Sequence, residues 1–154
     1  MLGILNEQRI YDLLENSIIG RLGYTDGHRI YIIPISFLFY NRKYIIAHSR
    51  EGQKIEIFRK NPDVCLAVDK IDNLSNWESI ILWGKYDEIT DQRERYYALD
   101  LLIRKIYKHK LREEQTAPDQ LAIEESSILP DREKTIVYRI RIEKMSGRFE
   151  RSGD

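Results

Sequence analysis

The residues best suited to chemistry lie in the segment His48–Lys54, whose sequence is HSREGQK. An apolar run precedes it, and an amphipathic run that stops at Asn61-Pro62 follows it, which predicts a polar turn between a strand and a helix. The first amides of a helix have no partners within the helix, and together with the helix dipole they attract anions. Gly52 permits a ligand to approach closely, and Lys54 adds a full positive charge. The segment suits phosphate binding, and a capped surface helix with solvated charges explains the same residues equally well.

A second unusual residue is Pro34, in the middle of the apolar run YIIPISF. Proline has no N–H to donate, so we expect it to interrupt the hydrogen-bond ladder of a strand. The backbone groups left free at that point suit a flat heterocycle with imide edges. An ordinary bulge or a position at the edge of a sheet is the alternative, and the sequence slightly favours it.

Other kinds of chemistry find little support in the residue pattern. His28, His48 and His109 are far apart and lack acidic or cysteine neighbours at metal-ligand spacing, so we predict no metal site. The serines lack the strand–turn–helix context of a nucleophile elbow, and no glycine-rich loop of the Walker or dinucleotide type is present. The single cysteine, Cys65, lies in the apolar run VCLAV and is expected to be a buried core residue rather than a nucleophile.

The composition is typical of one globular domain spanning residues 1–154. Charged residues make up 32% and hydrophobic residues 42% of the chain, and Lys plus Arg balance Asp plus Glu at 25 each. A formal net charge of zero gives no electrostatic argument for nucleic acid. The N-terminal residues have neither the basic start nor the long apolar stretch of a signal peptide, no run approaches the roughly 20 apolar residues of a membrane span, and no intrachain disulfide can form. We therefore expect a cytoplasmic protein that binds neither nucleic acid nor membrane.

The elements that must position the polar turn begin with a helix and several strands. Asn6 can cap a first helix in which Ile10, Leu13 and Leu14 share one face. The region Ile18–His48 predicts three consecutive antiparallel strands, with RIYIIPISFLFY as one long strand and with turns at the dipeptides DG and NR.

The rest of the chain adds three strands and two helices. The second helix covers residues 52–60, and DVCLAVD, WESIILWGKYDEI and TIVYRIRIEKM follow as strands, with a bend or bulge at Gly84. Asp91 and Glu94 form a capping box for a third helix, which is apolar enough to pack on the sheet, on a second subunit or on both. Residues 111–134 predict a long loop with at most one helical turn. Six mostly antiparallel strands with few helices favour a small barrel over an open sheet.

The order of these elements resembles the pyridoxamine 5'-phosphate oxidase-like flavoproteins, and within them the short branch that includes the nitroimidazole-resistance proteins. The likeness is close over residues 18–89 and looser over VYRIRIEKMSGR. The strand–turn–helix block with its lysine and its Asn-Pro stop is the most specific part. The resemblance implies a mainly β fold, a six-stranded antiparallel split β-barrel with peripheral helices. It also implies a homodimer with FMN bound between its subunits.

The resemblance further implies roles for individual positions. Lys54 corresponds to the basic residue that contacts the FMN phosphate, and Gln53 stands where the oxidase itself has an arginine, so one charge partner is missing. His48 is the candidate catalytic residue. The strand whose backbone faces the flavin ring corresponds to Ile33, Pro34, Ile35 and Ser36. The strand end and turn along the ribityl chain and phosphate correspond to Ile46, Ala47, His48 and Ser49. In the fifth strand, Ser79 corresponds to a polar position that reaches the flavin, and Trp77 lies at the rim.

The implied activity is an FMN-dependent oxidoreductase that acts on a small molecule such as a nitroaromatic or a quinone. Because the flavin supplies the electron chemistry, the protein needs to contribute only binding, orientation and electrostatics. The chain ends in GRFERSGD, which does not reproduce the arginine-rich end that grips the oxidase's substrate, so vitamin B6 oxidation is not implied. Two alternatives remain open: a module that stores or senses FMN without turnover, and a split barrel that holds haem or a deazaflavin.

Overall fold

The computed structural model describes residues 1–114 and 132–153, which form eight strands, three α-helices and a short 3-10 turn at Arg132–Lys134. The strands are β1 (Leu2–Ile4), β2 (Ile19–Thr25), β3 (Ile30–Ser36), β4 (Leu38–Tyr40), β5 (Tyr44–Ser49), β6 (Asp63–Asn73), β7 (Asn76–Glu88) and β8 (Ile136–Glu150). The helices are α1 (Glu7–Asn16), α2 (Gln53–Lys60) and α3 (Gln92–Glu114). No helix in this part of the chain is long and apolar enough to cross a membrane.

The strands form one antiparallel sheet in the order β3-β2-β6-β7-β8-β5-β4, with β1 paired to the far end of β8. β3 and β4 stand at opposite ends of this order, yet only Phe37 separates them along the chain. The sheet must therefore curl until its two ends meet at Phe37, which is completely buried. This curled sheet with helices around it confirms the predicted antiparallel split barrel.

The number and connection of the strands differ from the sequence prediction, which gave six. The run RIYIIPISFLFY is two strands rather than one, because the chain turns at Phe37 and sends β3 to pair with β2 and β4 to pair with β5. The region Ile18–His48 is therefore two hairpins, not three consecutive strands. β1 is the further addition, and it pairs with β8 because β8 continues to Glu150.

Two hydrophobic clusters stabilise the fold, one on each side of the sheet. The first fills the barrel and includes Leu22, Leu66, Leu82 and Phe58 of α2. The second lies between α3 and the outer side of β5 and β8, and it confirms that the third helix packs on the sheet. Its buried members are Ile46, Ile89, Ala98, Leu99, Leu102, Ile103, Ile106 and Val137.

The helix signals in the sequence act as predicted over most of the chain. Asn6 caps α1 by accepting a hydrogen bond from the Arg9 amide at 2.8 Å, and Asp91 caps α3 by accepting one from the Glu94 amide at 3.0 Å. The predicted start of the long loop at Leu111 is wrong, because α3 continues to Glu114. The remainder of that predicted loop, including Pro118 and Pro130, lies outside the described residues.

Side-chain alternation decides which residues of β6 face the core. Val64, Leu66 and Val68 point into the barrel, so Cys65 points outward and is half-buried. The expectation of a buried core cysteine was wrong, because an apolar run does not reveal which of its alternate positions faces the core.

Gly84 forms the predicted bulge in β7. The pairing of β7 with β8 shifts register between Trp83 and Gly84. A Cβ atom at position 84 would lie 2.7 Å from Cγ2 of Ile140 and closer still to the carbonyl oxygen of Arg141. The close approach of the two strands therefore requires glycine at this position.

We expect Gly84→Ala to lower the free energy of unfolding by about 1–3 kcal/mol, as overpacking does when the backbone must move. Gly52→Ala is the matched control, since a Cβ atom there meets nothing within 4 Å. Urea unfolding of the two variants and the wild type measures the difference. Equal stabilities for all three proteins would contradict the close packing at Gly84.

Candidate functional site

The polar turn predicted from the sequence joins β5 to α2 at the surface. β5 ends at Ser49 and α2 begins at Gln53, with Gly52 at the position before the helix. Gly52 has no side chain to cap the helix, and the first helical hydrogen bond is the one that the Glu56 amide donates to the Gly52 carbonyl at 3.2 Å. In the described part of the chain, no side-chain hydrogen bond caps the preceding amides of α2. This arrangement suits an anion.

Glu51, the acidic residue in the turn, forms an ion pair with Arg59 of α2. Arg59 contacts Glu51 at 2.6 Å and Glu88 at 2.9 Å, and Glu88 also accepts a hydrogen bond from the Tyr86 hydroxyl at 2.7 Å. The hydrogen bonds from Arg59 lower the pKa of Glu88. Because the carboxylates of Glu51 and Glu88 share Arg59, this cation reduces but does not cancel the negative charge that would repel an anion at the start of α2.

His48 lies beside the lysine of the turn on the outer side of β5. Burial, and then the positive charge of Lys54, lower the pKa of the His48 imidazole below its ordinary value, so the ring is neutral at pH 7. The neighbouring Ser49 is buried, and its hydroxyl donates to the Arg50 carbonyl at 2.9 Å. The strand end and the turn thus present two positive charges, on Arg50 and Lys54, next to a neutral imidazole.

Pro34 leaves the hydrogen-bond ladder of β3 intact. The Phe37 amide donates to the Ile18 carbonyl at 3.0 Å, and antiparallel pairs alternate between bonded and non-bonded, so the pair of Pro34 with Arg21 is non-bonded. The missing N–H of Pro34 therefore falls on the side away from β2, where no ladder bond exists. The expectation that Pro34 interrupts the strand was wrong, and the edge position is the correct alternative.

The strand that carries Pro34 ends next to the polar turn. β3 is an end strand of the sheet and is in contact with β5. β4 begins only two residues after Ser36, and its Leu38 pairs with Ile46 of β5. The structure thus gathers the edge of β3, the end of β5 and the start of α2 on one surface.

Only part of the predicted site offers side chains to that surface. Ile33, Ile35 and Ala47 belong to the barrel core, and Ile46 packs under α3, so these four residues present only their backbone. Pro34 is exposed and Ser36 is half-exposed on the outer side. A cleft of about 240 Å³ opens on the same side of β5, between Ile46 and Tyr97 of α3.

Ser79 and Trp77 lie on β7, away from this surface. Ser36 pairs with Ile19, which stands beside Asp69, and Asp69 pairs with Ser79. Three strand spacings separate Ser36 from Ser79, about 14 Å along the sheet. The Trp77 indole donates to Glu150 at 3.0 Å, near the end of β8. One chain by itself does not bring these two residues to the edge of β3.

The sequence of residues 6–149 matches the pyridoxamine 5'-phosphate oxidase family. The chain belongs to this family. The match spans nearly the whole chain and confirms the resemblance found in the order of the sequence segments.

This chain is similar to two proteins with solved structures and to one further relative in sequence. The chain is similar to an FAD-binding protein of Mesorhizobium loti, with 25% identity, a TM-score of 0.75 and coverage of 99% of this chain and 98% of the other. A protein of Bacteroides thetaiotaomicron assigned to 5-nitroimidazole antibiotic resistance shares the fold at 23% identity and a TM-score of 0.71, over 97% of this chain and 87% of that one. An uncharacterised protein of Rhizobium meliloti is 28% identical over 106 residues, which are 66% of this chain and 70% of that one.

Sequence reasoning about this member of the oxidase family missed the residues that fix the turn. The spacing of Glu51 and Arg59, about two helical turns, was the available signal, but it falls on a helix start that looked merely charged. Glu88 carried no such signal, because it reaches Arg59 from a strand 29 residues away.

We expect His48 to make stability depend on pH below neutrality. Its pKa is lowered from 6.5 in the folded protein, so the unfolded chain binds the proton first as the pH falls below that value. Wild type should therefore lose stability relative to His48→Asn between about pH 7 and pH 5. Thermal unfolding of both proteins across this pH range measures the difference in stability. The same dependence of stability on pH in the two proteins would contradict a neutral, half-buried imidazole.

Proposed function

We propose that this protein binds FMN on the surface formed by β3, β5 and α2, and acts as an oxidoreductase of a small nitroaromatic or quinone-like molecule. The observation that carries the proposal is the convergence of uncapped helix amides, Lys54 and the backbone edge of β3. Membership of the oxidase family supports it, as does the similarity to a protein that binds FAD. The bound flavin would supply the electron transfer, and the chain would supply the binding and orientation described next.

The phosphate end of the cofactor fits the start of α2. The uncapped amides offer hydrogen bonds, and Lys54 offers a full charge, which together match a terminal phosphate. Gly52 leaves open space in front of the amides, since a Cβ atom there would meet nothing within 4 Å. Because Gln53 carries no charge, Lys54 is the cation within the first turn of α2, and Arg50 precedes it in the turn.

The ring end of the cofactor fits the edge of β3. The flavin ring carries an imide with one N–H between two carbonyls, and the edge of an end strand presents backbone groups of both kinds. The carbonyl of Pro34 points away from β2 toward this edge, as the ladder alternation requires. The neutral ring of His48 can accept or donate one hydrogen bond between the two ends without adding charge.

If Ser79 and Trp77 contribute to the site, the site requires a second copy of the chain, because Ser79 lies about 14 Å from Ser36 along the same sheet. The outer side of β3, β2, β6 and β7 supports a homodimer, because one register row there is apolar. This row consists of Ile32, Gly23, Cys65 and Trp83. Ile32 is 70% exposed and Trp83 is 40% exposed, which is unusual for a single soluble chain.

We expect Lys54→Ala to weaken FMN binding roughly 10- to 150-fold, which corresponds to the loss of one charge-assisted hydrogen bond of about 1.5–3 kcal/mol. Riboflavin, which lacks the phosphate, should bind wild type and variant equally. Isothermal titration measures both ligands, with Lys60→Ala at the other end of α2 as the matched control.

Gly52→Ala provides a second, steric test of the same phosphate site. It leaves the protein's own contacts unchanged, so any loss of FMN affinity reports a clash with the ligand. Unchanged FMN affinity in both Lys54→Ala and Gly52→Ala would mean that the turn is only a helix start. The absorption spectrum of the purified protein then decides what, if anything, it binds, since flavin bands and a Soret band are distinct.

We expect Ile32→Glu to convert a dimer to a monomer of 18.4 kDa and to lower flavin affinity with it. The reason is that a charge would be buried without a partner at the β3 end of the apolar row. Ile4→Glu on β1 is the control, because Ile4 is similarly exposed but lies beyond β8. Sedimentation equilibrium measures the mass, and a wild-type monomer that retains FMN would exclude the shared site.

Turnover distinguishes an enzyme from a flavin-storing or flavin-sensing module. The proposal predicts oxidation of a reduced nicotinamide in the presence of a nitroaromatic acceptor and the bound cofactor. A protein that binds FMN tightly but does not accelerate this reaction with any nitroaromatic or quinone acceptor would be a module rather than a reductase.

A further inference from the structure

Lys105 of α3 reaches a place where two other segments of the chain meet. Its ammonium donates to the carbonyl oxygen of Ser17 at 2.6 Å and to that of Phe37 at 3.0 Å. The same nitrogen lies 4.8 Å from the centre of the Phe37 ring. Ser17 follows the C-terminus of α1, and Phe37 joins β3 to β4, so one side chain connects three elements.

A cation at this place is energetically unfavourable unless its contacts compensate for it. Burial lowers the pKa of Lys105 to about 8, and the more distant Glu15 raises it in part. No carboxylate forms an ion pair with Lys105 among the described residues. Two backbone carbonyls and a ring face are its contacts, and a carbonyl at a helix C-terminus favours a cation.

The contact with Phe37 fixes the end of β3. The Phe37 amide is bonded to the Ile18 carbonyl, and its carbonyl is bonded to Lys105, so both polar groups of this residue have partners. Ser36 precedes Phe37 directly and is the last residue of β3, which contacts β5. The orientation of the last peptide groups of β3 relative to β5 therefore depends on Lys105.

We propose that Lys105 is a positioning residue for the ring end of the flavin site. It does not touch the cofactor, and it acts by holding the end of β3 at the correct distance from β5 and α2. This inference rests on the proposed binding of flavin at the edge of β3. It predicts a distinct pattern of loss, because the phosphate end of the site lies on α2 and does not depend on Lys105.

The test compares Lys105→Met with wild type, using FMN and riboflavin as ligands. Lys105→Met should weaken both ligands by the same factor, about tenfold, which is the order expected for one lost hydrogen bond. It should also shift the absorption maxima of the bound flavin, because the ring would sit against a displaced strand. Lys108→Met, an exposed lysine on the same helix, is the matched control and should change neither property.

The outcomes separate this inference from the proposed function. If wild type binds neither ligand, the proposed function fails. If wild type binds flavin, and Lys105→Met keeps wild-type affinities and spectrum, the positioning role is overturned. A loss for FMN alone would also overturn it, since it would place the effect at the phosphate. Should Lys105→Met fail to fold, Lys105→Gln, which retains a donor, is judged by the same ratio of FMN to riboflavin affinity.

Discussion

The closure of the sheet at Phe37 is the constraint on which the rest of the structure depends. β3 and β4 are neighbours along the chain but opposite ends of the strand order, and a single residue cannot span an open sheet. The sheet must therefore bend, and the end of β3 comes into contact with β5. Because β5 leads directly into α2, the same bend places the strand edge beside the helix start. The candidate site is thus a consequence of closure rather than of a dedicated loop.

The electrostatics of this surface are local, since the formal charge of the whole chain is zero. Uncapped amides, Arg50 and Lys54 produce a positive spot, and Arg59 forms an ion pair with the competing carboxylate of Glu51. Burial, and then the charge of Lys54, keep the neighbouring His48 neutral. Two cations and several fixed dipoles suit a phosphate, because the dipoles need no reorganisation when the ligand arrives.

The distribution of the predicted residues connects cofactor binding with assembly. The backbone of β3 and the start of α2 lie on the surface of the candidate site, whereas Ser79 and Trp77 lie on β7, three strands away from β3. An exposed apolar row crosses the strands between them. If a second chain covers that row, burial of apolar surface and completion of the site occur in the same step. Ligand binding and association are then linked thermodynamically, so that each stabilises the other.

The sequence by itself determined the features that depend on neighbours within a few residues. Asn6 caps α1, Asn61-Pro62 ends α2, Asp91 caps α3 and Gly84 forms a bulge, because caps, stops and bulges are set by backbone geometry over about one turn. The order of such segments was sufficient to identify the family and the split barrel. The start and polar character of the candidate phosphate turn followed from the same local signals.

Only the tertiary structure decided the features that join distant parts of the chain. These are the break of one apolar run at Phe37, the outward position of Cys65, the edge position of Pro34, and the contacts of Glu88 and Lys105. Each of them depends on which strand or helix lies alongside, and the free energy of such a contact comes from residues tens of positions away. A one-dimensional pattern shows that Pro34 is unusual, but only its register with Arg21 reveals that the missing N–H faces away from the ladder.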